Sequence, residues 1–183
     1  MIHSILFVIG EKIPYRKTVE KILEPKISSE SPISGNTPQG QKYIPDFVIY
    51  RILGQPKVNI EEWKLLVEEL VRRKLEYTYD ELLRMKHTKL VADFHCVTGW
   101  SVKNVVWEGI PLRKLIGEDN ILPDVKWAYV ESLDGYTTII PIKDFLSEES
   151  LLVLKINGKI LNLEQGFPAR VFIPHLYGWK GAK

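Results

Sequence analysis

Ala92-Asp93-Phe94-His95-Cys96-Val97-Thr98-Gly99-Trp100-Ser101 is the stretch of this 183-residue chain that decides its fold. Residues 90–94 read as a strand, and Thr98-Gly99 marks the loop that follows. Cys96 therefore sits at a strand end, where a side chain can face a cleft. It is the only cysteine in the chain. A lone cysteine is most often a small, inert core residue. As a thiolate it would act as a nucleophile or a metal ligand instead. A nucleophile needs a base, and His95 adjoins it. Neighbours along a strand point to opposite faces, however, so these two do not form a Cys–His pair. The stretch alone leaves an inert thiol and a working one both open.

Outward from this stretch the local signals are short and varied. Thr78 and Glu81 have capping-box spacing, which predicts a short helix through Met85. Pro111 suits the first turn of another helix, with Leu112, Leu115 and Ile116 on one face. Residues 127–131 and 136–140 read as strands around Asp134-Gly135. Residues 151–156 and 159–163 flank Asn157-Gly158, whose tolerance of positive φ makes it a strong hairpin signal. Residues 169–173 read as a final buried strand. Residues 60–71 fit two patterns. Ile60, Trp63, Val67, Leu70 and Val71 form a helical stripe and the Glu and Lys content leans to helix, yet Trp63, Leu65 and Val67 alternate as in a strand. Residues 11–40 mix charge with Ser, Pro and Gly and read as an extended arm. Short strands and helices without a βαβ rhythm predict one mixed α+β domain.

Composition narrows the function classes. Hydrophobic residues make up 45% and charged residues 26%, ordinary values for a soluble globular domain. The formal charge is +2 and the basic residues are scattered, which argues against a nucleic-acid surface. A single cysteine can form neither an internal disulfide nor a Cys-rich zinc site. His3, His87, His95 and His175 show no paired ligand spacing. The N-terminus is apolar but lacks a charged leader and a cleavage site, and no run approaches a membrane span, so a cytoplasmic protein is expected. Adjacent Glu pairs read as solvated, and Asp134 as a turn residue.

A second candidate lies near the C-terminus. Arg170, Lys180 and Lys183 accompany Gly178 and Gly181. Glycines let backbone N–H groups approach an anion, and the cations complete a phosphate site. Without a Gly-rich fingerprint, the same residues also describe a turn with solvated lysines.

Several separated blocks together resemble the sulfite-oxidase-like molybdopterin-binding family. They are the Ala92 to Ser101 stretch, Trp107-Glu108-Gly109-Ile110-Pro111-Leu112-Arg113-Lys114-Leu115, Asp134-Gly135-Tyr136-Thr137-Thr138 with Pro141, the Asn157-Gly158 hairpin, and Gly166-Phe167-Pro168-Ala169-Arg170 through Tyr177-Gly178-Trp179-Lys180. Pro38-Gln39-Gly40-Gln41 and the Trp63, Leu65, Val67 pattern resemble the family's upstream portion, so the likeness spans residues 38–183. It implies a mixed-sheet α+β molybdopterin-binding fold over 38–183, without the C-terminal dimerisation domain of eukaryotic sulfite oxidases, preceded by an arm at 1–37. It also implies that residues 60–71 contain a strand.

The resemblance further implies a molybdenum, with tungsten as the alternative metal, held by one protein thiolate and two sulfurs of a single pterin. Cys96 occupies the ligand position, and a soft thiolate suits a metal already bound by sulfur. Arg170 matches an arginine at the pterin phosphate, with Lys180, Gly181, Ala182 and Lys183 alongside. Ser132 falls near a cofactor-contacting hydroxyl, Tyr136 matches a tyrosine on the substrate side, and His95 joins the pocket.

Three departures stand out: Glu69 replaces a turn glycine, Gln165 replaces a cofactor-contacting His or Asn, and the chain stops at Lys183, short of a usual further strand. The implied activity is two-electron oxygen-atom transfer to or from sulfite or an S-oxide. With no Cys-x-x-Cys-His haem motif, electrons need a separate redox partner. The rival expectations are a non-catalytic cofactor carrier and, more weakly, a thiol enzyme using Cys96 directly.

Overall fold

The computed structural model describes residues 4–10, 38–49, 54 and 56–183, with 4–10 described by their backbone. In chain order the elements are β1 (Ser4–Gly10), β2 (Lys42–Tyr43), β3 (Lys64–Glu69), β4 (Leu75–Thr78), α1 (Tyr79–Arg84), β5 (Thr88–His95), β6 (Trp100–Pro111) and α2 (Leu112–Ile116). There follow β7 (Trp127–Glu131), β8 (Thr137–Pro141), α3 (Ile142–Phe145), β9 (Leu151–Ile156), β10 (Lys159–Ile160) and β11 (Arg170–Phe172). No helix among the described residues is long and apolar enough to cross a membrane.

The strands form two sheets. One runs β4-β3-β1-β7-β8, and the other runs β10-β9-β6-β2, with β5 paired to β6 and β11 paired to β9. The first sheet packs with all three helices over a cluster that includes Trp63, Leu65, Leu82, Leu112, Ile140 and Phe145. The alternation that competed with a helical stripe at residues 60–71 is the one that governs. Trp63, Leu65 and Val67 are all fully buried, while Lys64, Leu66 and Glu68 are only partly covered. Ladder pairing with β1 on one side and β4 on the other outweighs the helical propensity of Glu and Lys.

Residues 1–37, expected as an arm, need a correction at their start. Ser4–Gly10 is a sheet strand, parallel to β3 and antiparallel to β7. A continuous apolar run such as Ile5-Leu6-Phe7-Val8-Ile9 suits an interior strand with neighbours on both sides. Residues 11–37, the rest of that expected arm, lie outside the described residues.

Local signals produce the expected elements where they are strongest. Thr78 and Glu81 form the reciprocal capping box that opens α1. Asn157 and Gly158, at φ 51° and 76°, make the turn between β9 and β10. Asp134-Gly135 closes the β7–β8 hairpin within a wider loop, in which Gly135 at φ 82° follows a turn from Ser132 and the Ser132 N–H returns to the Tyr136 carbonyl.

The second sheet carries an aromatic core. Trp107 of β6 is fully buried, stacks on Phe172 of β11 at 3.8 Å between ring centroids, and donates its indole N–H to the Ala92 carbonyl. Beside it, β6 and β9 approach so closely that a Cβ on Gly109 would lie 2.0 Å from the Leu152 carbonyl oxygen. No larger residue fits there without opening the sheet.

Glu69 ends β3 at φ 73°, a left-handed conformation in which a side chain is strained, and its side chain is exposed. Glu69→Gly should therefore stabilise the protein by about 1 kcal/mol. In a chain of this size that corresponds to roughly 2–4 °C in Tm by calorimetry. A fall in Tm would show that Glu69 contributes a favourable contact larger than its backbone strain.

Candidate functional site

β5 and β6 are joined by a tight turn, and the turn carries Cys96. The Cys96 N–H donates to the Trp100 carbonyl at 2.8 Å, and the Gly99 N–H donates back to the Cys96 carbonyl at 3.1 Å. A second donor reaches the same carbonyl: the side-chain amide of Gln41, at 2.9 Å. The Gln41 amide oxygen accepts from the Ser101 hydroxyl at 2.8 Å, and Ser101 Oγ lies 2.7 Å from His95 Nδ1. A serine has one proton to give, so His95 Nδ1 is the donor in that pair. Burial holds His95 below the usual imidazole range, against the upward pull of Asp93. The neutral ring, the hydroxyl and the amide thus form one directed chain that ends on the cysteine's backbone.

Cys96 is a free thiol, 9% exposed, and it lines a cleft of about 510 Å³. That volume falls in the range of small-molecule and cofactor sites. Around Cys96 the walls are Phe47, Val48, Phe94, Val97, Thr98 and Trp100. The opposite part is built by Asp134, Tyr136, Glu164, Gln165, Arg170 and the C-terminal residues Gly178, Trp179, Gly181 and Lys183. Val97 and Trp179 stand exposed at the rim, at 59% and 54%. Among the described residues no three or more His, Cys, Asp or Glu side chains gather as a metal site. Cys96 is the soft donor of the cleft.

Arg170 begins β11 and is 5% exposed. Its guanidinium donates to the Gln165 carbonyl at 3.1 Å and lies 5.7 Å from the ring centroids of both Phe94 and Trp107, while its Nε is buried without a partner. Burial pushes its pKa down to about 10. Lys183 donates to the Glu164 carbonyl at 2.6 Å, and burial together with the nearby Arg170 charge holds it below the usual lysine range, partly offset by Asp134. Among the described residues neither cation has a carboxylate within salt-bridge distance. Taking positive charge out of water is costly, and an anion entering the cleft that Arg170 and Lys183 line would offset part of that cost.

The other candidates divide between the wall and its backing. Tyr136 lines the cleft, but its hydroxyl donates to the Trp179 carbonyl, and burial raises its pKa. Gln165 also lines it, with its side chain engaged in a capping box with Asn162. Gly181 and Lys183 lie in the wall, whereas Ala182 is buried behind them and its carbonyl accepts from the Val171 N–H. Lys180 turns away to the Ile139 carbonyl at 2.7 Å, with burial holding it below the usual lysine range. Ser132 is buried with an unpartnered hydroxyl and is not a wall residue. His95 likewise backs the turn and does not line the cleft, because its ring is committed to Ser101.

Sequence reasoning missed the aromatic wall of Phe47, Phe94, Trp100 and Trp179. The C-terminal segment is seated directly on this wall: a Cβ on Gly178 would lie 2.0 Å from the Phe94 ring.

The family model described as "Oxidoreductase molybdopterin binding domain" matches residues 52–183. An "Uncharacterized oxidoreductase YuiH" of Bacillus subtilis (strain 168) is 32% identical over 155 residues, covering 84% of this chain and 78% of that protein. A "Protein-methionine-sulfoxide reductase catalytic subunit MsrP" of Gluconobacter oxydans (strain 621H) is 28% identical over 146 residues, covering 66% of this chain but only 44% of that protein. The crystal structure of the sulfane dehydrogenase SoxCD from Paracoccus pantotrophus has the same fold, with a TM-score of 0.63 at 24% identity over 71% of this chain and 38% of that chain. This mixed-sheet α+β chain, with its lone thiol, Arg170 and Lys183 on one cleft, accordingly belongs to the sulfite-oxidase-like molybdopterin-binding oxidoreductases.

Proposed function

We propose that this chain is a molybdenum-dependent oxygen-atom transferase that binds its cofactor between Cys96 and the Arg170–Lys183 pair and reduces the S-oxide of an organic thioether. The observation that carries this reading is that one cleft is lined both by the single thiol and by two cations, buried Arg170 and half-buried Lys183, that have no carboxylate within salt-bridge distance among the described residues. The residues fit such a group. A thiolate is a soft donor, suited to molybdenum or tungsten already bound by pterin sulfurs. The orphaned Arg170 Nε retains a donor for a phosphate oxygen, and Lys183 adds a second charge. When bound, the cofactor supplies a metal that changes oxidation state by two electrons and exchanges an oxygen atom with the substrate.

The chain's own side chains do the rest. Cys96 anchors the metal, held by the turn and by Gln41. Arg170 and Lys183 hold the cofactor's anionic end, with Gly181 allowing close approach. Gln165, Lys180, Ala182, Ser132 and His95 support these groups from the wall or behind it. Tyr136 stays protonated and ties Trp179 in place, and its oxygen remains able to accept a hydrogen bond. Val97, Trp179, Trp100 and Phe47 exclude water and receive apolar substituents beside the reacting bond.

This apolar rim favours an organic S-oxide over inorganic sulfite, which needs cations beside the metal. The sulfoxide-reductase relatives support the same choice. Reduction of an S-oxide to a thioether and water consumes two electrons and two protons, so a separate redox protein must deliver the electrons.

Protein from a cofactor-competent host should contain molybdenum and pterin and turn over methionine sulfoxide with a reduced dye. Cys96→Ser should fold with an unchanged circular dichroism spectrum yet lose the metal; full metal retention would sink the ligand assignment. Metal and pterin without turnover would favour a carrier instead. Arg170→Met should weaken cofactor retention by about tenfold to a hundredfold, the effect of losing a charge-assisted hydrogen bond, as read by pterin fluorescence after dialysis. Unchanged retention would remove Arg170 from the site.

A further inference from the structure

We propose that Thr98 is a positioning residue whose hydroxyl hydrogen-bonds the Cys96 sulfur and raises the reduction potential of the metal bound there. The inference rests on Cys96 being the metal ligand, as proposed above. Thr98 Oγ1 lies 3.2 Å from Cys96 Sγ, within hydrogen-bond range for sulfur. Either atom can donate while the sulfur is a thiol. A metal-bound thiolate has no proton, so in the ligating form the bond runs only from the Thr98 hydroxyl to sulfur. Among the described residues no other hydrogen bond reaches this sulfur.

The geometry is imposed by the fold. Thr98 is the third residue of the turn that begins at Cys96, and the turn is closed by the Gly99 N–H to the Cys96 carbonyl. Gln41 binds that carbonyl from outside, and Gly99 takes φ 92°, so the turn cannot readily relax to carry the hydroxyl away. The spacing of one intervening residue, Val97, which points to the exposed rim, sets Thr98 beside the sulfur. A hydrogen bond to a ligating thiolate withdraws electron density from it. The weaker donor stabilises the oxidised metal less, and hydrogen bonds to sulfur are a general control on such potentials. Thr98 would thus make the centre easier to reduce, in the direction an S-oxide reductase needs if its electrons come from a modest donor.

The test compares unmodified protein, Thr98→Val and Thr98→Ser, all loaded with cofactor. Valine matches threonine in shape but lacks the hydroxyl; serine keeps it. Thr98→Val should retain the metal, shift its midpoint potential negative and move the thiolate-to-metal charge-transfer band to lower energy. Thr98→Ser should restore both toward the unmodified values. A purely structural role would change Tm or metal content while leaving potential and band unmoved. Unchanged potential and band in Thr98→Val, with metal still bound through Cys96, would overturn the proposal. Metal retention in Cys96→Ser would instead mark the ligand assignment as the failure, and the role of Thr98 would fall with it.

Discussion

Arg170 is where the packing of the second sheet and the electrostatics of the cleft meet. It emerges from β11 next to the stacked pair of Trp107 and Phe172, and its guanidinium lies beside the neighbouring rings of Phe94 and Trp107, 5.7 Å from each centroid. Aromatic faces attract a cation, but they do not replace the water it lost. Its charge is therefore kept at a cost that burial alone makes visible in its lowered pKa. Nearby, Lys183 is brought in by the C-terminal segment and raises that cost further. The native fold tolerates both because stacked aromatics and backbone carbonyls hold them in place. The cleft they line also carries Asp134 and Glu164 in its wall.

The other end of the cleft follows a different logic. There the walls are apolar and the polar groups are few, so the thiol of Cys96 faces a region with little competing hydrogen bonding. Its backbone is secured by the Gln41, Ser101 and His95 chain, which runs behind the turn and leaves the sulfur side open. A ligand held by its main chain can present its side chain without sacrificing precision. Cations, a soft donor and aromatic surface thus line the same cleft.

Much of the fold was legible because its signals are local. The Thr78–Glu81 box and the Asn157-Gly158 turn each depend on a few adjacent residues whose hydrogen-bonding and φ preferences act regardless of context. The strand at Lys64–Glu69 was different. Its residues carry two periodicities, and only pairing with β1 and β4 selects one of them. Likewise, the apolar run at residues 5–9 suits an interior strand, but that its partners are β3 and β7 is settled only by pairing between segments far apart in the chain. The aromatic wall was hidden for a related reason: Phe47, Phe94 and Trp100 have the composition of ordinary core, and which side of a ring meets a cleft is not written in its neighbours.

By itself, the sequence determined that there is one thiol, where its turn lies, which hairpins close, and which separated blocks mark the family. Those properties depend on residue identity and short-range geometry. Tertiary structure alone decided that Cys96 and Arg170 share a cleft, that Tyr136 is tied to Trp179, and that His95 lies behind the turn while Thr98 touches the sulfur. Burial, desolvation and side-chain direction depend on what packs from elsewhere in the chain, and it is that packing which sets the cysteine in the wall of a cleft.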